Sequence, residues 1–324
     1  MSDRLLFSYA SADDPALRRL TILAIERLTG QPRLKRLYLE NQRRPRLGES
    51  FWDVAVRQLE LRVDYDSEQL QAIPAAGPVV VVANHPFGVV DGLVIGHLIS
   101  KVRPDLKILT HSLLCRAVEL QPYLLPIDFA ETPAARATTL RSRAEALSWL
   151  GGGGALVVFP GGAVSTSTGP FTRGAVDPEW KLFTAKAITH TRATVVPIFF
   201  CGQNSRLFQV ASHLSLTLRL SLLFNEVRNK IGTTVQVRIG APLPYAALSH
   251  VVDRKALLDH LRRATYGLGR PRGLTIACPA RKRSALIRDA GRRVAAPLHR
   301  VRRRRLARRR ERVGSSDTPQ NRAA

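Results

Sequence analysis

The sequence predicts an α/β domain with a mostly parallel central sheet flanked by helices. Three apolar runs carry that expectation: Val79 to Val82, Ala155 to Phe159 and Thr194 to Phe200. Each is short, lacks polar alternation and is bounded by glycine, proline or asparagine, as in strands buried on both faces. Between them lie segments whose apolar residues recur at helical spacing, and strands alternating with helices indicate parallel crossovers. The domain is expected at 76–266, after an N-terminal helical segment (1–75) and before a basic, partly disordered tail (267–324).

In order, Asp14-Pro15 is a reasonable helix start, with Leu17, Leu20, Ile22, Leu23, Ile25 and Leu28 at near-helical spacing, and Gly30 with Pro32 a stop. A basic stretch follows, from Arg33 to Arg46. Beyond Ser50, residues Phe51, Val54, Ala55 and Leu59 share a helical face with Trp52 close by; core packing is preferred there to an interfacial role. After the strand at Val79, a helix is expected from Asp91 to about Lys101, a strand at Leu106 to Thr110, and a short helix around Ser112 to Leu120. The amphipathic segment Thr138 to Leu150 ends at four glycines, Gly151 to Gly154. A helix from Trp180 to Thr191, a strand from Thr234 to Ile239 and a helix from Arg254 to Thr265 complete the domain.

At 324 residues and 45% hydrophobic composition the chain can bury a sizeable core. Its 50 basic and 25 acidic residues leave a formal charge of +25, which calls for an anionic partner, nucleic acid or membrane surface. Cys115, Cys201 and Cys278 are far apart, so neither a disulfide framework nor a CxxC metal site is implied. No stretch approaches the roughly 20 apolar residues of a spanning helix, and the N-terminus has no apolar leader. The expectation is a protein that is soluble or lies on a membrane, at its cytoplasmic face.

The segment Val79 to Leu93 organises the chain. His85 follows the first buried run and Asp91 comes six residues later. Ligands of open α/β sheets bind beyond the strand ends, and histidine exchanges a proton near neutral pH. Read from composition alone, the two are either a proton-transfer pair or ordinary turn residues. A second break, Phe159-Pro-Gly-Gly-Ala-Val-Ser165, puts Gly161 and Gly162 at a strand end, where backbone N–H groups can approach an anion.

The wording Asn84-His-Pro-Phe-Gly-Val-Val-Asp91 resembles the histidine–aspartate signature of the glycerophospholipid acyltransferases, the family of the lysophosphatidate acyltransferases and the haemolysin-like bacterial lyso-lipid enzymes. That family commonly has four residues between His and Asp; here there are five, and Gly88 is expected to absorb the extra one. Phe159, Pro160, Gly162 and Ser165 match its F-P-E-G-T-R-S block, with Gly161 at the Glu position and Val164 at the Arg position. Gly169 to Ala175 resembles its basic-Gly block, and Val195 to Ile198 its apolar fourth block. Leu125 to Asp128 lies at the second block without its arginine.

The resemblance implies a peripheral membrane O-acyltransferase. His85 would be the general base and Asp91 its orienting partner. Gly161, Gly162, Ser165 and Arg173 would bind substrate, although a solvated role fits Arg173 equally well. The acyl donor would be acyl-CoA or acyl-carrier protein, the acceptor a lyso-lipid (lysophosphatidate or a lyso-aminolipid), with no metal or bound cofactor. The rival classes are a non-catalytic lipid-binding relative and a basic nucleic-acid-binding protein. Arg281 to Arg312 holds fifteen basic residues against Asp289 and Glu311, with Leu286, Ile287, Ala290, Val294, Leu298 and Val301 at helical spacings. That apolar stripe favours an anchor on an anionic membrane over a nucleic-acid arm, and a solvated basic tail is the remaining alternative.

Overall fold

In the computed structural model, which describes residues 8, 10, 15–43, 48–169, 172 and 174–270, the chain begins with two helices, α1 (Ala16–Thr29) and α2 (Gln31–Arg43). Gly30 closes α1 at φ 112°, a left-handed position suited to glycine. The stop expected at Pro32 does not occur. That proline falls in the first turn of α2, where a missing N–H leaves no bond unmade. α3 (Phe51–Gln58) starts at Ser50, whose Oγ accepts from the Asp53 N–H at 3.1 Å.

β1 (Arg62–Asp64), α4 (Ser67–Gln71), β2 (Val79–Ala83), α5 (Val89–Ser100) and β3 (Leu106–His111) follow. The helix expected near Ser112 is two 3₁₀ stretches, Ser112–Arg116 and Val118–Leu120, before β4 (Leu124–Ile127). α6 (Pro133–Gly151) starts earlier than its apolar pattern suggested, because Thr132 caps it and Pro133 suits a first helical position. After β5 (Ala155–Val158) come the short antiparallel pair β6 (Thr166–Ser167) and β7 (Ala175–Val176), then α7 (Leu182–Thr191) and β8 (Thr194–Phe200). Three helices, α8 (Arg206–Leu214), α9 (Leu216–Ser221) and α10 (Leu223–Lys230), lead to β9 (Thr234–Ile239), α11 (Tyr245–Leu248) and α12 (Arg254–Gly267).

Seven strands form one sheet in the order β1-β9-β8-β2-β5-β3-β4. The five from β8 to β4 are parallel; β9 runs against β8, and β1 is parallel to β9. β2 is the middle strand and all five of its residues are buried. Its alternation sorts the core into two layers. Val79, Val81 and Ala83 meet Trp52, Val94, Leu98 and Phe224 from α3, α5 and α10. Val80 and Val82 meet Leu150, Ile188 and Leu261 from α6, α7 and α12. With apolar neighbours on both faces, this run has no alternative position. Among the described residues, no helix is long and apolar enough to cross a membrane. The tail 281–312, with its apolar stripe, lies outside the described residues.

The end of the sheet away from the β2–α5 turn is fastened by Arg103, which is 1% exposed. Its guanidinium donates to the carbonyls of Pro74, Gly77 and Gly153 at 2.7–3.0 Å and to both carboxylate oxygens of Asp105. It thereby joins the segments entering β2, β3 and β5. Arg103→Ala would leave three carbonyls without their donor, and a loss of about 3 kcal/mol is expected in denaturant unfolding; a loss below about 1 kcal/mol would refute the fastening role.

Candidate active site

Asn84 leaves β2 and continues the ladder with its side chain: Nδ2 donates to the Phe200 carbonyl at 3.0 Å and Oδ1 accepts the Phe200 N–H at 2.7 Å. This fixes the chain as it turns toward His85. Gly88 then takes φ 69°, ψ −117°, a conformation open essentially to glycine. It is the residue that accommodates the longer His–Asp spacing. A Cβ there would also come within 3.2 Å of Val164.

The turn brings His85 and Asp91 together. Nδ1 of His85 lies 3.0 Å from Oδ2 of Asp91, whose side chain is fully buried. The approach is oblique, at ion-pair distance without the alignment of a full hydrogen bond. The same Oδ2 accepts the N–H groups of Phe87 at 2.8 Å and Gly88 at 3.0 Å, in the first turn of α5. Burial pushes the Asp91 carboxyl above its ordinary range, against the pull of His85 and these two N–H donors. The His85 ring stacks on Phe159, centroids 4.1 Å apart, and its side chain is 19% exposed. Nδ1 is occupied by Asp91, so Nε2 is the nitrogen left to face a substrate.

The remaining expected residues divide. Gly161 is buried, and a Cβ on it would come within 3.0 Å of the Asp177 Cβ. A side chain at 161, such as the Glu of the resembled block, would therefore crowd Asp177 and Pro178. Gly162, at φ 69°, gives its N–H to the Phe159 carbonyl. Ser165 is 1% exposed, and its hydroxyl donates to Asp177 Oδ1 instead of facing outward. Its N–H reaches the His85 carbonyl at 2.7 Å, so the glycine-rich loop is stitched to the histidine loop. Arg173 lies outside the described residues.

Three neighbours gave no signal in the sequence. Asp177 lies beneath His85. Arg219 reaches from α9 to the Val164 carbonyl. Lys230 sits 3.8 Å from the Phe87 ring centre, with burial lowering its pKa. Each lies more than 70 residues from the motif residue or more than 50 from the loop it supports, and none belongs to a spaced pattern.

Beside α5 lies an apolar cavity of about 140 Å³. Its walls include Leu37, Phe51 and Ala55 of α2 and α3, Val89 and Leu93 of α5, and Phe224 of α10. α3 is held there by His97 Nδ1, 2.7 Å from Asp53 Oδ1, and by Trp52 packed where Gly96 has no side chain.

A family model described as acyltransferase matches residues 42–271. The lyso-glycine lipid O-acyltransferase of Phocaeicola vulgatus is 26% identical over 208 residues, covering 62% of this chain and 71% of that protein. Its counterpart in Bacteroides thetaiotaomicron is 25% identical over 236 residues, covering 70% and 83%. Among solved structures, the 1-acyl-sn-glycerophosphate acyltransferase PlsC of Thermotoga maritima is similar at 16% identity and a TM-score of 0.42, covering 83% of this chain and 88% of that one.

The buried carboxylate has a measurable consequence. Its folded-state pKa lies above the unfolded value, so ionising it opposes folding. That penalty is absent in acid, below the unfolded value, and grows as pH rises through the folded one. Asp91→Asn keeps an oxygen for Phe87, Gly88 and His85 without the charge. Its melting temperature is expected to equal or exceed that of the unsubstituted protein near neutral pH, with the difference shrinking in acid. A variant several degrees less stable at neutral pH would contradict the assignment.

Proposed function

The chain belongs to this acyltransferase family, and on that premise we propose that it transfers a fatty acyl group from a thioester donor to the hydroxyl of a lyso-lipid while bound at a membrane surface. The observation that carries the reading is the 3.0 Å approach of His85 Nδ1 to a fully buried Asp91 at the end of the central strand. Nε2 of His85 takes the proton of the acceptor hydroxyl as its oxygen attacks the thioester carbonyl. Asp91 holds the ring and stabilises the imidazolium. Collapse of the tetrahedral intermediate breaks the C–S bond, and the departing thiolate recovers the proton from His85. The oblique contact is expected to tighten once substrate is bound.

The donor is acyl-CoA or acyl-carrier protein, and the reaction uses no further cofactor. For the acceptor, both relatives are named for a lyso-glycine lipid, and Val164 stands where the resembled block has arginine. Both points favour a lyso-aminolipid over lysophosphatidate. Its head group meets the glycine-rich loop at the partly exposed Gly162, with Arg173 as the cation; Gly161 and Ser165 are buried beneath that loop. The cavity beside α5 takes the acyl chain, its lining being almost wholly apolar.

Association with the cytoplasmic face of a membrane draws support from side chains turned the wrong way for a soluble helix. Leu17, Leu20 and Leu28 on α1 are 64–81% exposed, and Leu207, Leu214 and Leu216 on α8 and α9 are 59–72% exposed. α1 packs against α9, so these leucines project from neighbouring helices. Arg18, Arg19, Arg27 and Arg206 stand exposed among them. Leucines interspersed with cations suit an anionic lipid surface, and the basic tail from Arg281 adds charge.

Two measurements test this. His85→Ala, checked for fold by circular dichroism, is expected to lower acyl transfer to a lyso-aminolipid on the order of 10²–10⁴-fold; near-full activity would remove the mechanism. Replacing Leu17, Leu20 and Leu28 together with glutamine is expected to weaken sedimentation with anionic vesicles at least several-fold. Unchanged sedimentation would move the contact elsewhere.

A further inference from the structure

One carboxylate in the site has no part in the mechanism above and yet touches the residue that does the chemistry. Asp177, 3% exposed, lies in the segment between β7 and α7. Its Oδ1 accepts the backbone N–H of His85 at 3.0 Å and the Ser165 hydroxyl at 2.5 Å. Its Oδ2 accepts the Trp180 indole N–H at 3.1 Å. The Asp177 backbone is clamped as well: its N–H donates to the Tyr266 hydroxyl and its carbonyl accepts from Arg262, both at 2.8 Å and both from α12. Gly161 packs on its Cβ, and the Lys181 N–H bonds the Pro160 carbonyl at 2.8 Å, so the glycine-rich loop closes over the same residue.

This pattern is more specific than a buried polar group finding partners. The histidine loop, 92 residues away, and the glycine-rich loop, 12 residues away, meet on one side chain, and one of its three bonds goes to the peptide of His85 itself. Asp91 fixes the imidazole from the side-chain end, by a contact that is oblique. The opposite end, the Cα from which the ring swings, is held by Asp177. A shift there displaces Nε2, and misplacement of about 1 Å can cost on the order of 10²-fold in rate. The resembled block carries its carboxylate at the position of Gly161, which here abuts Asp177.

We infer that Asp177 is the positioning residue of His85, holding the backbone of the base through Oδ1 while Ser165 locks the glycine-rich loop to the same oxygen. The inference rests on the proposed role of His85 as base. It assigns Asp177 no contact with substrate.

The test uses full-length protein, acyl-CoA and a lyso-aminolipid, with kcat and both KM values measured for each variant beside His85→Ala. Asp177→Ala is expected to lower kcat at least tenfold with the donor's KM within about twofold. Asp177→Asn keeps an acceptor for His85 and Ser165 but turns an NH₂ toward the Trp180 N–H. Combining it with Trp180→Phe removes that clash, and the pair is expected to recover to within about threefold of Trp180→Phe alone. A loss confined to KM, a wild-type kcat in Asp177→Ala, or a double variant no better than Asp177→Ala would each overturn the inference. If Asp177→Ala does not fold, the double variant decides: activity within threefold of Trp180→Phe sustains the inference, and a fall to the His85→Ala level ends it. Should His85→Ala itself keep its activity, the proposed mechanism fails instead, a result the Asp177 variants cannot mimic.

Discussion

Everything in the site depends on how a carboxylate is kept inside a turn with no water around it. Asp91 Oδ2 takes the N–H groups of Phe87 and Gly88 and the approach of His85, while its side chain is fully buried. Its place in the first turn of α5 adds the favourable end of the helix dipole. The two backbone bonds set the shape of the turn, Gly88 supplies the one conformation that closes it, and α5 can start only after both conditions are met. The middle strand therefore aims the histidine, and the helix that follows holds the acid that orients it.

A second acid, Asp177, faces the same residue from the backbone side. The two carboxylates are separated by their surroundings. Asp91 has one oxygen, Oδ1, with no bonded neighbour, and burial raises its pKa. Asp177 has both oxygens engaged and its peptide clamped by α12. One lies against the imidazole of His85; the other is anchored. Such a division between a responsive partner and a fixed one is a common way to keep a reacting group in register.

The parallel strands were legible because burial on both faces leaves nothing for composition to hide: Val79 to Val82, Ala155 to Phe159 and Thr194 to Phe200 read as strands, and strands span Val79–Ala83, Ala155–Val158 and Thr194–Phe200. The position of His85 and Asp91 was legible through motif wording, and their closeness follows from a turn that one glycine signals. Less could be read where elements are short or charged. α2 looked like a basic linker because Pro32 suggested a stop, and its apolar residues, Leu34 and Tyr38 among them, are diluted by arginine and lysine. α8 to α10 and β1 are short elements, and tertiary packing decides them. Asp177 was illegible for a different reason: its meaning lies in partners 12 to 92 residues away. The glycine at 161 looked like a departure from a pattern, and only the structure shows it packed against Asp177. Arg173 and the arginine-rich tail lie outside the described residues.

The apolar cavity shares walls with the site without sharing its working parts. It is lined by α2, α3, β3, the 3₁₀ stretches, β4 and α10, and by Val89, Gly92 and Leu93 of α5. None of His85, Asp91, Asp177 or Ser165 belongs to that lining. A change of bulk at Phe51, Ala55 or Leu37 therefore reshapes the cavity and leaves the base and its two acids untouched. On the proposed reading, that separation lets chain-length preference be altered at the cavity wall without touching the residues assigned to the chemistry.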